Sequence, residues 1–203
     1  MSSIYGSAAG ANVIYNQNNI GVAFAGAVEP PTCTDEYVIT NEGELGGVGT
    51  NADTVWLSVT STGTVAVDSK ISAIACRIAT TPSPAYNAKF VCYSGDSLNP
   101  VTFICMTESA DISTDDWVEL DVVNDEGSVE AHTVTDSEKG YLWLGVWSAG
   151  NVAPNKINLT NGAREMTSQT YDSSNTVEPT TTFSDDNQYN VQIRMRATIC
   201  VPD

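Results

Sequence analysis

The chain has 203 residues, 41% hydrophobic and 16% charged, and its 25 acids against 8 bases give a formal net charge of −17. Such proportions fit a globular protein with a polar, acidic surface rather than a disordered acidic tail. They speak against nucleic acid and anionic membranes as partners, which are held by Lys and Arg at phosphates, and no apolar run approaches the roughly 20 residues of a membrane-spanning helix.

The first residues carry no base, and the apolar run from Gly21 to Val28 has no basic flank, so a signal peptide is not expected. Residues 1–35 are rich in Gly, Ala, Asn and Ser and reach Glu29-Pro30-Pro31 without periodicity. They read as an extended N-terminal arm, and residues 36–203 as the folded domain.

Within the domain, Val55, Leu57 and Val59 alternate with Thr54, Trp56 and Ser58, and the turn Ser61-Thr62-Gly63 is expected to end that strand. Ile71 to Ile78 suits a strand, although its alanines also suit a short helix. Lys89 to Tyr93 and Val101 to Met106 flank a turn at Gly95 to Pro100 and read as a hairpin. Trp117 to Val122 alternates, with Val118, Leu120 and Val122 on one face. Tyr141-Leu142-Trp143-Leu144-Gly145-Val146-Trp147-Ser148 is uncharged and reads as a central strand buried on both faces, with Gly145 leaving room for a large neighbour. A long polar loop from Ser148 to about Gln188, holding one weak strand at Lys156 to Leu159, precedes a last strand in which Val191, Ile193, Met195, Ala197 and Ile199 share a face. Strands of this spacing predict an all-β fold, an antiparallel two-sheet β-sandwich of jelly-roll type.

Five cysteines in no CxxC spacing read mainly as buried thiols, with Cys92 and Cys105 the best-placed disulfide candidates across the hairpin. The single histidine, His132, lies in a polar connection and reads as exposed and non-catalytic. Neither a nucleophile elbow nor a phosphate loop is present, so no catalytic residues are assigned and the chain is not expected to be an enzyme. Eleven of the 25 acids lie between Glu108 and Glu138, in the pattern of a solvated sheet face. No metal ligands or cofactor are assigned. Asp115-Asp116, Asn124-Asp125-Glu126 and Asp185-Asp186-Asn187 supply the hard oxygens that a structural calcium would use, although ordinary turn chemistry accounts for them. Glu119 and Asp121 point away from the apolar face of their strand, as Arg194 and Arg196 do on theirs, so neighbouring strands would let them pair.

Trp56 and Trp117 fall on the polar faces of their strands and Tyr86 and Tyr171 in loops. Exposed aromatics beside Asn and Asp are what sugar-binding surfaces use, which makes Trp56, Trp117 and Tyr171 the candidate ligand-binding residues; the plainer reading is that they cap the sandwich or meet a neighbouring subunit.

The segments from Ala88 to Gly95, Asp116 to Leu120, Tyr141 to Ser148, Tyr171 to Phe183 and Tyr189 to Ile193 resemble, in order and character, a jelly-roll β-sandwich domain found in tailed-phage virion proteins and in some bacterial carbohydrate-binding modules. The resemblance covers a little over half the chain, rests on packing and turn motifs, and departs at the shortened turn Gly95 to Pro100. It implies a non-enzymatic virion protein, a capsid decoration, cement or fibre subunit assembled in the host cytoplasm. Its partners would be copies of itself through the arm and sheet edges, and other virion proteins. A carbohydrate-binding or adhesion module that takes glycans is the alternative.

Overall fold

The computed structural model describes residues 32–37, 47–154, 156–180 and 187–201, with backbone alone at 32–37, 60–63 and 157–161. They form β1 (Thr32–Tyr37), β2 (Thr54–Val65), β3 (Lys70–Arg77), β4 (Tyr86–Gly95), β5 (Pro100–Thr107), β6 (Ala110–Ile112), β7 (Trp117–Val123), β8 (His132–Thr133), β9 (Gly140–Ser148), β10 (Lys156–Met166), β11 (Asn187–Ile193) and β12 (Met195–Val201). The fold is all-β, and the strand pairings among the described residues are antiparallel. The sheet runs β1-β12-β3-β7-β5-β4-β9-β2-β10-β11, with β6 on β4 and β8 on β3. Where the sequence predicts two sheets, hydrogen bonding follows one path, because β5 and β7 are joined at Met106–Val123 and Thr107–Val122.

Most predicted strands lie where the alternation places them, β9 above all. β4 and β2 flank it along most of its length. Leu142, Leu144 and Val146 enter the main core with Ile71, Ile74, Phe90, Leu120, Met195 and Ile199. Trp143 and Trp147 enter a second core with Val55, Leu57, Val91, Tyr93, Met106 and Met166. The main core therefore draws on both halves of the strand path.

Several expectations are corrected. Ile71 to Ile78 contributes to strand β3, not a helix, because two flanking strands, β12 and β7, pair with it. Ser61 to Gly63 makes no turn: β2 runs through it, with a shift in register between Val59 and Thr64. The weak strand at Lys156 to Leu159 extends to Met166, so the long loop is interrupted by a strand paired on both sides. The last strand keeps its alternation but is divided at Arg194, so that β11 pairs with β10 and β12 with β1 and β3. One residue thus connects strands near opposite ends of the path. The arm expected over 1–35 lies outside the described residues except for 32–35, which belong to β1. Cys92 and Cys105, the best-placed disulfide candidates, are free buried thiols, as is Cys76; a disulfide is made instead by Cys200, which lies in register with Cys33.

Arg196, Ala75 and Glu119 form one row across β12, β3 and β7. The small Ala75 lets Arg196 reach over β3 to Glu119, 3.2 Å away. Of the expected pairs Glu119–Arg196 forms, and it does so across an intervening strand rather than between neighbours.

Gly145 answers a close approach. It lies in register between Leu57 and Val91, and a Cβ there would sit 2.5 Å from Leu57 Cδ2 and inside the contact distance of the Trp56 carbonyl oxygen. Gly145→Ala is therefore expected to lower stability by about 1–3 kcal/mol, the range for overpacking a tight interior, read as a lower urea midpoint at unchanged slope.

Candidate functional site

Buried polar groups concentrate at two places on the sheet, and a cavity opens at a third. At the first, Glu165 of β10 is 1% exposed. Its Oε1 accepts hydrogen bonds from Asn51 Nδ2 (3.0 Å) and Trp56 Nε1 (2.8 Å), and its Oε2 from Asn187 Nδ2 (3.2 Å) and Tyr189 Oη (2.7 Å). Four donors compensate the lost hydration of the carboxylate. In return they tie β2 and β11 to β10. The Tyr189 hydroxyl, donating to that carboxylate and partly desolvated, is pushed up to about 12.

This arrangement corrects the reading of Trp56 as an exposed ring. It is 3% exposed, stacks on Tyr189 with centroids 4.5 Å apart, and spends its one N–H on Glu165. The alternation along β2 suggests one polar face, but the Tyr189 ring from β11 and the buried Glu165 of β10 cover Trp56 on that face.

At the second place, a strap formed by residues 167–180 crosses the face of β4 and β9 that carries Lys89, Val91, Tyr93, Trp143 and Trp147. Asp53, in the left-handed region at φ 55°, anchors its start: the Asp53 carbonyl accepts from Gln169 N and its carboxylate from Tyr171 N, both at 2.8 Å. Trp147 Nε1 donates to the Gln169 carbonyl (2.8 Å), and Tyr93 Oη to that of Thr180 (2.8 Å). The Tyr171 and Ser109 hydroxyls are 2.6 Å apart. Between these contacts Lys89 is fully buried. Its ammonium lies over the Trp147 ring, 5.0 Å from the centroid, and donates to the carbonyls of Ser174 and Val177. Burial lowers the Lys89 pKa from 10.5 to about 8, partly opposed by the Asp172 carboxylate. Tyr171 is a half-buried ring set edge-on to Trp147 at 5.2 Å, and Tyr86, expected in a loop, begins β4.

Trp117 is half-buried on β7, with the guanidinium carbons of Arg196 and Arg194 4.9 and 5.4 Å from its ring centroid. The three candidate ligand-binding aromatics therefore sit apart. Trp56 packs beside Glu165, Tyr171 lies in the strap, and Trp117 lies among arginines on the β12-β3-β7 part of the sheet.

The cavity, about 410 Å³, opens at the β5–β7 joint. Ile104, Cys105, Met106 and Val123 supply its apolar and thiol lining, and Asp125, Glu126, Glu130, His132 and Glu178 are its ionisable residues. His132, predicted exposed, is half-buried with Nε2 3.1 Å from Glu138 Oε2. Burial pushes the Glu138 carboxyl up, but the Thr135 amide, His132 and the Thr135 hydroxyl outweigh it and hold the pKa below the ordinary value. Glu178 is pushed the other way, by burial and then by Asp125. Among the groups suggested for calcium, Asn124 Oδ1 accepts from the amides of Glu126 and Ser128, and Asp116 pairs with Arg77 at 3.0 Å. Asp185 and Asp186 lie outside the described residues, among which no group of three or more His, Cys, Asp or Glu side chains is placed to hold a metal ion. The buried hub, the strap and the cavity are all assembled from residues distant in sequence. Glu165 lies beyond the weak strand read at Lys156 to Leu159, so the hub had no local signal.

Lys89 gives stability a definite pH dependence. Between about pH 8 and 10.5 the unfolded chain keeps a proton that the folded chain releases, so this group's contribution to stability rises with pH across that window and is lost as pH falls through 8. The raised pKa values of Tyr93, Tyr171 and Tyr189 act oppositely, but only above about pH 10. Urea denaturation at pH 8 and pH 10 should therefore show wild type gaining on the order of 1–2 kcal/mol relative to Lys89→Met. Equal pH slopes in the two proteins would contradict it.

No family model and no curated protein matches the chain. Among solved structures, a chain in "Structure of infectious bursal disease virus Gt strain" is similar at 10% identity with a TM-score of 0.22, over 95% of this chain and 47% of that one. The present chain thus spans about half the length of that viral chain.

Proposed function

We propose that this protein is a non-enzymatic structural subunit of a virion, a capsid decoration, cement or fibre protein that associates with copies of itself through its N-terminal arm and its sheet edges. In this reading the strand path folds over the main core as a two-layered sandwich of jelly-roll type. The shared core and the Arg194 connection between distant ends of the path favour that arrangement.

The observation that carries the assembly reading is the state of the two terminal strands. Among the described strands, β1 pairs with β12 alone and β11 with β10 alone. They are the terminal strands of the described sheet, and a terminal strand is where a further strand is added when sheets grow by strand pairing. The residues preceding β1 would supply such a strand to a neighbouring copy. The net charge of −17 suits a protein that must stay soluble at high local concentration before docking. The buried ionisable groups have structural uses that support this reading: Glu165 ties strands together and Lys89 pins the strap. The carbohydrate-binding alternative has less support, since the Trp56 ring is stacked on Tyr189 and the Tyr171 ring is held against Trp147.

Size-exclusion chromatography with light scattering tests the reading, on the full chain and on a chain lacking residues 1–31 that retains β1. The full chain is expected to form a discrete oligomer and the shortened one to dissociate. Monomers in both cases would contradict assembly through the arm. Saturable glycan binding abolished by Trp117→Ala would then favour the binding module.

A further inference from the structure

Three buried free thiols share the main core, but their surroundings differ. Cys92 on β4 and Cys105 on β5 are directly opposed in register. Opposed residues of an antiparallel pair have Cα atoms about 4.5–5.5 Å apart, within the roughly 4.4–6.8 Å that a disulfide spans. Both thiols belong to the same buried cluster. A shift in register follows immediately, between Cys92 and Tyr93, where the ladder is locally loosened. Cys105 also lines the cavity at the β5–β7 joint and is 4% exposed, whereas Cys92 is 0% exposed. Cys76 is equally buried, but it does not line the cavity and is opposed by Met195 and Val118.

We propose that Cys92 and Cys105 are a latent oxidation site, at which hydrogen peroxide entering the cavity converts the two thiols into a cross-strand disulfide. Cys105 releases its proton to solvent and, as thiolate, attacks one peroxide oxygen; the O–O bond breaks, one hydroxyl stays on sulfur, and the leaving hydroxide takes a proton back from solvent and departs as water. The sulfur is now a sulfenic acid. Cys92 attacks it, the S–O bond breaks, and the hydroxyl leaves with the Cys92 proton as a second water. Two thiols and one peroxide give one disulfide and two waters. Burial keeps the Cys92 thiol protonated well above the ordinary range, so Cys92 is the resolving thiol rather than the one that meets peroxide. The carboxylates lining the cavity admit neutral peroxide and disfavour anionic oxidants such as glutathione disulfide. The inference does not depend on the virion reading.

The test treats the intact, folded chain with hydrogen peroxide and maps its peptides without reduction, using Cys76 as the internal comparator. A Cys92–Cys105 linkage is expected to accumulate at least about tenfold faster than Cys76 is oxidised, because only the opposed pair has both access and a resolving thiol. Cys92→Ala should leave a sulfenic acid on Cys105 that dimedone traps, and Cys105→Ala should leave Cys92 unoxidised. Oxidation of all three thiols at one common rate, or dimedone capture of Cys105 in the wild type without any linkage, would overturn the proposal, as would complete resistance. If either variant fails to fold, the comparison of the three thiols in the wild type still decides.

Discussion

The structure depends on the burial of β9 on both of its faces. A strand with one wet face needs only one core; β9 needs two, and the rest of the chain is arranged to supply them. On one side the β12-β3-β7 half of the strand path contributes Ile71, Ile74, Leu120, Met195 and Ile199 to the core beneath Leu142, Leu144 and Val146. On the other, the strap at 167–180 covers Trp147, with Tyr171 edge-on to its ring, and Arg164 lies over Trp143. Each tryptophan also has an indole N–H to satisfy, and each finds a backbone carbonyl: that of Asp96 for Trp143 and that of Gln169 for Trp147. Large aromatic area and a single donor thus determine both where the covering segments run and where they are tied.

The charges inside the molecule follow from the same requirement. Covering β9 with a short polar strap buries backbone carbonyls that would otherwise bind water, and Lys89 supplies donors to two of them. Arg164 is 3% exposed, lies over Trp143 at 5.7 Å and donates to the Leu98 carbonyl. Glu165, the next residue along β10, faces the opposite way and collects donors from β2 and β11. Buried ions of this kind are costly to desolvate and add little net stability when satisfied. Removing a partner is severe, because an unpaired buried charge remains. Their consequence is one arrangement of strap and strands rather than several.

What the sequence made legible was alternation. The uncharged run from Tyr141 to Ser148 identifies β9, its two faces and the need for Gly145, because period-two packing and a tightly approached glycine are local properties. The hairpin that opposes Cys92 and Cys105 was equally readable from its turn. Long-range pairing was not. Trp56 alternates with Thr and Ser and so resembles an exposed ring, and only the addition of β10 and β11 beyond β2 covers it. Lys156 to Met166 has too many polar residues to mark a strand paired on both sides. Its role emerges when Glu165 meets Trp56, 109 residues away. The strap is invisible in the same way, since nothing in Gln169 to Thr180 announces that Lys89 and Tyr93 will hold it.

The proposed assembly would draw on β1 and β11, the terminal strands of the described sheet, and the proposed oxidation on the cavity at the β5–β7 joint. Everything rests on β9 being the most protected element, with the strap as a separately removable cover. Residue-resolved native-state hydrogen exchange measures this directly. The amides of Leu142 to Val146 should exchange only through global unfolding, while those of 167–180 exchange through a local opening of lower free energy. Exchange of the β9 amides at or below the free energy of the strap would contradict the account.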